Sequence, residues 1–522
     1  MANLNWKQLL AILLFIKLLL HLATNTLWSF HRDELLYSAL GRHLDWGYAS
    51  VPPGVAFWAW INDLTTGGSL FGLRLISTLV GTGTVALTAL MAIDMLPPDP
   101  SKYSGRFAVT TIGLAGLLSG AFMRPCMLFM PVVFDVFYWT LLCYLFLKYM
   151  NCGKQHWLWW FGVAAGIGLL NKYSVLILLA AMVPGVVFTR QRKLFKNPNL
   201  YLAAGIALVI LSPNIWWHYQ HDFPVVRHIG QLAASQFVHV SLGSFFSDQL
   251  RFFLPALPVW LFGLGFLLRH PVGRTWRIYG WMFIGVLAIL LVFSAKSYYS
   301  LGAYPVLIAA GAVHLERLSV TNRKWIRPTL PVLMLVIGLP ILPVVIPILP
   351  PEQEAAYMER IKKVPGLSGT LRWEDGNEYA LPQDFADMLG WKELADITVK
   401  AFQSNPDPAT VAVYAENYGQ AGAIELFGRE HGIRLVISFS DNYRYWLPDA
   451  LPKEFNTLIY VNDELGDDMA GFFEKIELFG EVNMPLSRQH GNQVYVCKNP
   501  TPAFFERMNK AIDDARSDRE ID

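Results

Sequence analysis

Residues 8–37 read QLLAILLFIKLLLHLATNTLWSFHRDELLY, and the reading of this stretch decides the fold. From Gln8 to Trp28 the single formal charge is Lys17. A helix crossing a bilayer needs about 20 mainly apolar residues, and this run supplies them. His31-Arg32-Asp33-Glu34 follows directly, so the chain returns to water there. The run lacks the small-residue cleavage site of a signal peptide and further apolar runs follow it, so it reads as a retained first span.

The same pattern recurs along the chain. Beyond the run at 8–29, apolar stretches lie near 70–93, 106–123, 131–149, 157–170, 173–189, 199–217, 250–268, 278–295, 300–315 and 329–349. The expected fold is a polytopic α-helical membrane protein of about 11–13 spans followed by a C-terminal soluble α/β domain. Composition agrees: of 522 residues 54% are apolar and 16% charged, against about 25% charged in ordinary soluble domains. The formal charge of +2 hides two opposite regions. Residues 1–350 hold 25 Lys+Arg and 10 Asp+Glu, whereas residues 351–522 hold 17 and 30. A disordered chain, a fibrous repeat and a single soluble enzyme domain are excluded. So is nucleic-acid binding, because the basic residues are scattered between apolar runs rather than gathered on one face.

The basic residues set the expected orientation. With the N-terminus in the cytoplasm, sixteen of them fall in inside loops, the densest being Arg190, Arg192, Lys193 and Lys196, and then Arg317, Arg323, Lys324 and Arg327. An odd number of spans then puts residues 351–522 on the extracytoplasmic side of a cytoplasmic (inner) membrane. The chain divides accordingly into a membrane domain, 1–350, with long outer loops at 30–69 and 218–249, and an extracytoplasmic domain, 351–522. Both loops mix charges with aromatics such as Trp46, Tyr48, Phe57, Trp58, Trp60, Phe237, Phe245 and Phe246, which suits short helices in the interface. In the tail, Val411–Ala415, Arg434–Phe439, 457–462 and 493–498 read as strands, with helices at 418–430 and 502–515. The four cysteines form no disulfide framework or zinc spacing, although Cys126 and Cys497 could meet an oxidising space. No complete phosphate-cradling glycine motif, metal-binding histidine pair or serine-nucleophile motif occurs.

The candidate chemistry lies in the few charges that orientation does not explain. Asp33 and Glu34 adjoin at the outer end of the first span, where a carboxylate can act as a general base or merely cap a solvated helix. Asp135 lies near the outer end of an otherwise apolar run, where an ionisable group is costly and a cavity-facing role is the default expectation. Lys172, Lys296, Arg251, Arg74 and Arg124 are basic residues on the side the positive-inside rule disfavours. Each could reach the headgroups, but together they compose an anion site, most naturally for a lipid phosphate. Lys17, inside the first span, is expected to snorkel or to pair. The Pro52-Pro53-Gly54 turn and Trp46-Gly47-Tyr48 offer rigid aromatic surface suited to a sugar ring.

These residues carry a resemblance. Asp33-Glu34-x-x-Tyr37, followed by Gly41-x-x-Leu44-x-Trp46-Gly47-Tyr48 and Pro52-Pro53, resembles the first-loop signature of protein-O-mannosyltransferase-like enzymes of glycosyltransferase family 39 and the related bacterial aminoarabinose transferases acting on lipid A. Arg74-Leu75-Ile76-Ser77, Gly166-Ile167-Gly168-Leu169 with Lys172-Tyr173, and Lys296-Ser297-Tyr298-Tyr299 with Tyr304-Pro305 are similar to later landmarks in the same order. Glu416-Asn417-Tyr418-Gly419-Gln420-Ala421-Gly422-Ala423 is similar to a segment common in bacterial members. The resemblance implies an inverting C-type glycosyltransferase that takes a sugar from a polyprenyl-phosphate donor within membrane lipid, with no metal or other cofactor and an unidentified lipid, glycan or protein acceptor. It implies Asp33 as catalytic base with Glu34 beside it, Asp135 as the second acidic position, and Lys172, Lys296, Tyr298 and Tyr299 as donor-phosphate contacts. Arg251 joins that anion set from its position, and Tyr37, Trp46 and Tyr48 belong to the substrate loop. Where the aminoarabinose transferases carry Lys before the Pro-Pro pair this chain has Val51, which argues against the same acceptor.

Inversion by direct displacement needs one base for the acceptor hydroxyl and cations for the departing phosphate, and this residue set matches that need. A lipid or glycolipid transporter would instead show inverted repeats and midplane ionisable groups, and neither is evident. A non-catalytic scaffold would keep its function without Asp33 and Asp135.

Overall fold

The computed structural model of the chain describes residues 4–99, 101–235, 241–321, 323–364, 368–451, 454–467 and 469–516. Phe237, expected in an interfacial helix, lies outside them. The chain divides into two units: Met1–Thr26, Val51–Val55 and Phe71–Ile348 form the first, and Leu27–Ser50, Ala56–Leu70 and Leu349–Asp522 the second.

Helices run in the order α1 (Trp6–Thr24), α2 (Arg32–Arg42), α3 (Gly54–Thr66), α4 (Leu70–Met95), α5 (Arg106–Leu118), α6 (Gly120–Met127), α7 (Pro131–Cys152) and α8 (His156–Asn171). There follow α9 (Val175–Val187), α10 (Pro198–Gln220), α11 (Pro224–Ser235), α12 (Leu242–Arg251), α13 (Leu257–Arg269), α14 (Arg277–Val292), α15 (Tyr304–Thr321), α16 (Ile326–Gly338) and α17 (Leu342–Val345). Every apolar stretch read from the sequence is helical, and this is a polytopic membrane protein. Length and composition of the helices support fewer spans than the 11–13 expected. Among the described residues six helices are long and apolar enough to cross a membrane, or nine if three bent pairs each count once. The two that fall short are α8, with sixteen residues, and α15, which carries His314, Glu316 and Arg317 in its later turns. α15 is largely buried and α8 about half buried, and hydropathy alone does not separate a protein-covered helix from a lipid-facing one.

The bent pairs are informative because a break leaves backbone groups that lipid cannot satisfy. α5 and α6 meet at 55°. The Lys17 ammonium, 1% exposed, donates to the Gly116 and Phe122 carbonyls at 3.1 and 2.9 Å on either side of that bend. Of the two expectations for Lys17, pairing is therefore what occurs, its partners being two main-chain oxygens together with His21 Nε2 and Met123 Sδ, both at 3.3 Å. At the other end of α5, buried Glu316 on α15 accepts from the Gly105 and Ala108 amides at 2.8 and 2.9 Å. That places a carboxylate on orphan donors at a helix N-terminus, where charge is favourable. α13 and α15 approach closely through glycine: a Cβ at Gly263 would sit 1.9 Å from the Leu307 carbonyl oxygen, and one at Gly311 1.8 Å from that of Val259.

The second unit contains α2, the later part of α3, and a five-stranded sheet of order β2-β1-β3-β5-β4. Its strands are β1 (Val411–Ala415), β2 (Val436–Ile437), β3 (Thr457–Asn462), β4 (Phe473–Glu481) and β5 (Gln493–Pro500). β1 pairs in parallel with β2 and β3, whereas β5 runs antiparallel to both β3 and β4. Its helices are α18 (Pro351–Ile361), α19 (Gln383–Ala386), α20 (Trp391–Gln403), α21 (Tyr418–Gly428) and α22 (Pro502–Arg516). Ala412, Leu458 and Cys497 pack with Phe504, Met508 and Ile512 of α22, while Val413 and Ala415 are buried as well. β1 is thus apolar on both faces, as a strand flanked by two parallel partners should be. β4 was not expected. Its Glu474, Lys475 and Glu477 lie on an exposed edge strand, where charge discourages further pairing and also erases the hydrophobic signal.

Buried Glu354 in α18 accepts from the Leu349 amide at 3.3 Å, and burial pushes its carboxyl from an ordinary 4.5 up to about 7. A carboxyl raised in the folded state stabilises most while protonated in both states, and that contribution fades as pH rises from 4.5 through about 7. Glu354→Gln should therefore flatten the fall in thermal midpoint between about pH 5 and pH 8, as measured by differential scanning fluorimetry in detergent. A variant with the wild-type pH slope would contradict the assignment.

Candidate active site

In the second unit the candidate base sits on the first turn of α2. His31 caps that helix: its Nδ1 accepts from the Asp33 amide at 3.1 Å, and Glu34 Oε2 accepts from the His31 amide at 2.8 Å. This reciprocal cap fixes the first turn and uses the fully buried Glu34 on the backbone. Asp33 is half-buried. Its Oδ1 accepts from the Tyr418 hydroxyl at 2.8 Å. Among the described residues no hydrogen-bond donor meets Oδ2. The Arg32 guanidinium lies 4.4 Å from the centre of the Tyr418 ring, and its amide donates to the Asp387 carbonyl at 3.0 Å. The Asp387 carboxylate accepts from Arg488 Nη1 at 3.3 Å. Burial pushes the Asp387 carboxyl upward, opposed by His31, Arg488 and Arg32.

α21 approaches α2 closely. A Cβ on Gly419 would lie 2.7 Å from Arg32 Cγ and from Trp391 Cη2, and one on Gly422 3.0 Å from the Leu35 backbone. Further along α2, Arg42 pairs with Glu425 at 3.0 Å, and the Tyr443 hydroxyl donates to the same carboxylate at 2.7 Å. The substrate-loop residues divide. Tyr37 is buried, and Tyr48 is spent on structure, its hydroxyl donating to the Leu40 and His43 carbonyls at 3.1 and 3.0 Å. Trp46 is 57% exposed.

The first unit gathers the other candidates. Asp135 on α7 accepts from Ser174 Oγ at 2.6 Å. Lys172, closing α8, places its ammonium 5.0 and 4.7 Å from the ring centres of Tyr298 and Tyr299, a cation held against two aromatic faces. Asp135 and Lys296 are both within electrostatic reach of Lys172. The 297–303 turn that carries the tyrosines is tied to α12: Ser297 Oγ donates to Asp248 Oδ2 at 2.8 Å, and Ser300 and Tyr304 both donate to Gln249 Oε1 at 2.7 Å. Arg251 pairs with that Asp248 at 3.6 Å. Asp135, Lys172, Lys296, Tyr298, Tyr299 and Arg251 thus belong to one connected cluster. Arg74 does not join it: fully buried, it donates to the Asn25 carbonyl at 2.5 Å and closes the end of α1. Sequence reasoning missed Ser174, Asp248, Gln249 and Tyr418. Tyr418 had a signal, since the motif around it was noticed, but nothing in sequence spacing joins residues 33 and 418.

Fold and clusters together define a class: a multi-span helical membrane protein with a C-terminal mixed-sheet domain. The crystal structure of ArnT from Cupriavidus metallidurans bound to undecaprenyl phosphate superposes with a TM-score of 0.63 at 14% identity, covering 93% of this chain and 97% of that one. Residues 50–217 match the dolichyl-phosphate-mannose-protein mannosyltransferase family. Lipid A galacturonosyltransferase RgtD of Rhizobium johnstonii is 24% identical over 212 residues, 39% of this chain and 42% of the relative. Lipopolysaccharide core galacturonosyltransferase RgtB of the same organism is 27% identical over 213 residues, 40% and 41% of the two chains. The match therefore spans about two fifths of the length of these curated relatives. The resemblance read from the sequence is the one these comparisons return.

The tight α2–α21 approach yields a stability test. Gly419→Ala should cost about 1–3 kcal/mol by overpacking, seen as a lowered thermal midpoint in detergent. An unchanged midpoint would mean that Arg32 and Trp391 yield freely.

Proposed function

We propose that the protein is an inverting glycosyltransferase that moves a sugar from a polyprenyl-phosphate donor to an extracytoplasmic lipid-linked acceptor. The observation that carries this reading is the Asp33 carboxylate, held through one oxygen with the other unclaimed by any described donor. The acceptor hydroxyl oxygen attacks the anomeric carbon while Asp33 Oδ2 takes its proton. The carbon–oxygen bond to phosphate breaks, its electron pair leaves on the phosphate, and the anomeric configuration inverts. Lys172 and Lys296, with Arg251, Tyr298 and Tyr299, bind the phosphate and stabilise the charge that develops on it. Asp135 holds Lys172 in place and balances its charge before the donor arrives. Trp46, Tyr37 and Tyr48 shape the loop that receives the sugar.

The polyprenyl-phosphate donor is supported by the fold shared with ArnT, whose structure holds undecaprenyl phosphate. A glycolipid acceptor is supported by the names of the two curated relatives, and their sugar, galacturonate, is the first donor to try. The excess of basic residues in alternate loops supports a cytoplasmic N-terminus, with the second unit outside the cytoplasmic membrane.

Asp33→Asn should abolish transfer in reconstituted vesicles while the affinity for polyprenyl phosphate stays within about twofold, since it removes a base and no phosphate ligand. Lys172→Met should instead weaken binding of that lipid about tenfold or more, the loss expected when a charge-assisted contact is removed. Full turnover by Asp33→Asn would sink the assignment of the base, and unaltered lipid binding by Lys172→Met that of the phosphate site.

A further inference from the structure

The segment Glu416–Ala423 has no part in the chemistry above, yet it makes the hydrogen bond that orients Asp33. We infer that Tyr418 is a positioning residue for the transfer reaction, holding Asp33 Oδ1 through its hydroxyl so that Oδ2 alone is presented to the acceptor. The inference rests on the reading of Asp33 as the base.

The local sequence is built to aim this hydroxyl. Asn417 caps α21, its side chain accepting from the Gly419 and Gln420 amides at 3.0 and 3.1 Å, while Gln420 Oε1 accepts from the Asn417 amide at 3.3 Å. Gln420 Nε2 then donates to Asn492 Oδ1 at 3.3 Å, tying the turn to the loop before β5. Glycine at 419 and 422 admits α2 at a distance that a side chain would forbid. On the α2 side, the Asp387 carbonyl accepts from both the Arg32 amide and Trp391 Nε1, at 3.0 and 2.7 Å. Both ends of the Tyr418–Asp33 bond are therefore fixed by groups that touch neither hydroxyl nor carboxylate. Arg32 covers the face of the ring and leaves the hydroxyl to Asp33. Burial, reinforced by Asp33, keeps that phenol far above its ordinary range, so it remains a donor.

The functional consequence follows from geometry. An aspartate has two side-chain torsions and two equivalent oxygens, and a base that swings by about 1 Å can lose a hundredfold in rate. A hydrogen bond to one oxygen removes that freedom and distinguishes the two. A mere helix-to-helix clamp would need only the ring, its cation contact and the glycines, all of which phenylalanine retains.

The experiment uses the full chain in nanodiscs with a polyprenyl-phosphate sugar donor. Tyr418→Phe should lower kcat about 10–100-fold, with KM for donor and acceptor within about twofold and an unchanged thermal midpoint. Wild-type kcat in Tyr418→Phe, with Asp33→Asn inactive, overturns this inference and leaves the base assignment standing. An active Asp33→Asn overturns both. Should the Phe variant lose stability, a cycle with Asp33→Glu decides. The longer arm already breaks the 418 contact, so Asp33→Glu with Tyr418→Phe should be no slower than Asp33→Glu alone. Losses that multiply would refute positioning.

Discussion

Hydrocarbon offers no hydrogen bonds, so each main-chain amide and carbonyl of the membrane unit must find its partner within the protein. Regular helices meet that demand by themselves. Wherever the chain bends, a side chain has to complete it, and these completions account for the least expected charges in the first 350 residues. Lys17 serves the carbonyls on either side of the α5–α6 bend, and Glu316 serves the amides that open α5. Arg74 closes the end of α1 in the same way. A buried charge is tolerated in such places because it is hydrogen-bonded to backbone that would otherwise be orphaned.

Once those positions are assigned to structure, the acidic residues of the first 350 sort themselves. Asp94 pairs with Lys148 at 3.1 Å, Asp63 lies 3.9 Å from Arg42, Glu34 caps α2, and Asp248 binds Ser297 and Arg251. Asp135 leans on Ser174 beside Lys172. Asp33, like Asp135, is engaged by a neutral hydroxyl through one oxygen, and unlike Asp135 it is partly exposed. A carboxylate paired with arginine or lysine is a weaker proton acceptor than one held by a phenol, because the neighbouring charge favours the ionised form.

How much of this was legible in the sequence depends on whether the signal is local. Apolar runs marked the membrane helices, and shorter apolar stretches marked β1, β3 and β5, because each pattern is a property of consecutive residues. Two of the expected spans, α8 and α15, fall below the length and composition that a crossing helix ordinarily shows, one being short and the other charged in its later turns. β4 escaped because an edge strand carries the charges that hide it. Asp33, Asp135, Lys172 and Lys296 were legible as charges out of place. Tyr418 was not, since its contact spans 385 residues and a tyrosine in a soluble domain is unexceptional. Nor could the sequence tell that Tyr48 is consumed by backbone carbonyls while Trp46 stays exposed.

The cluster proposed to bind phosphate shows a related economy of charge. Lys172 lies against the faces of Tyr298 and Tyr299, with Asp135 within electrostatic reach. Aromatic faces attract a cation without neutralising it, whereas a full set of carboxylates would leave little field for an incoming phosphate. Lys296 adds a second cation within reach of the first, and their mutual repulsion is relieved when an anion enters. Arg251 is the most exposed of the three basic groups considered and already shares Asp248 with Ser297, so it contributes less to that repulsion. A cluster arranged in this way carries its positive charge at a cost until the anion binds. That is the electrostatic condition for retaining a lipid phosphate within apolar surroundings, and for stabilising it further as it gains charge on departure.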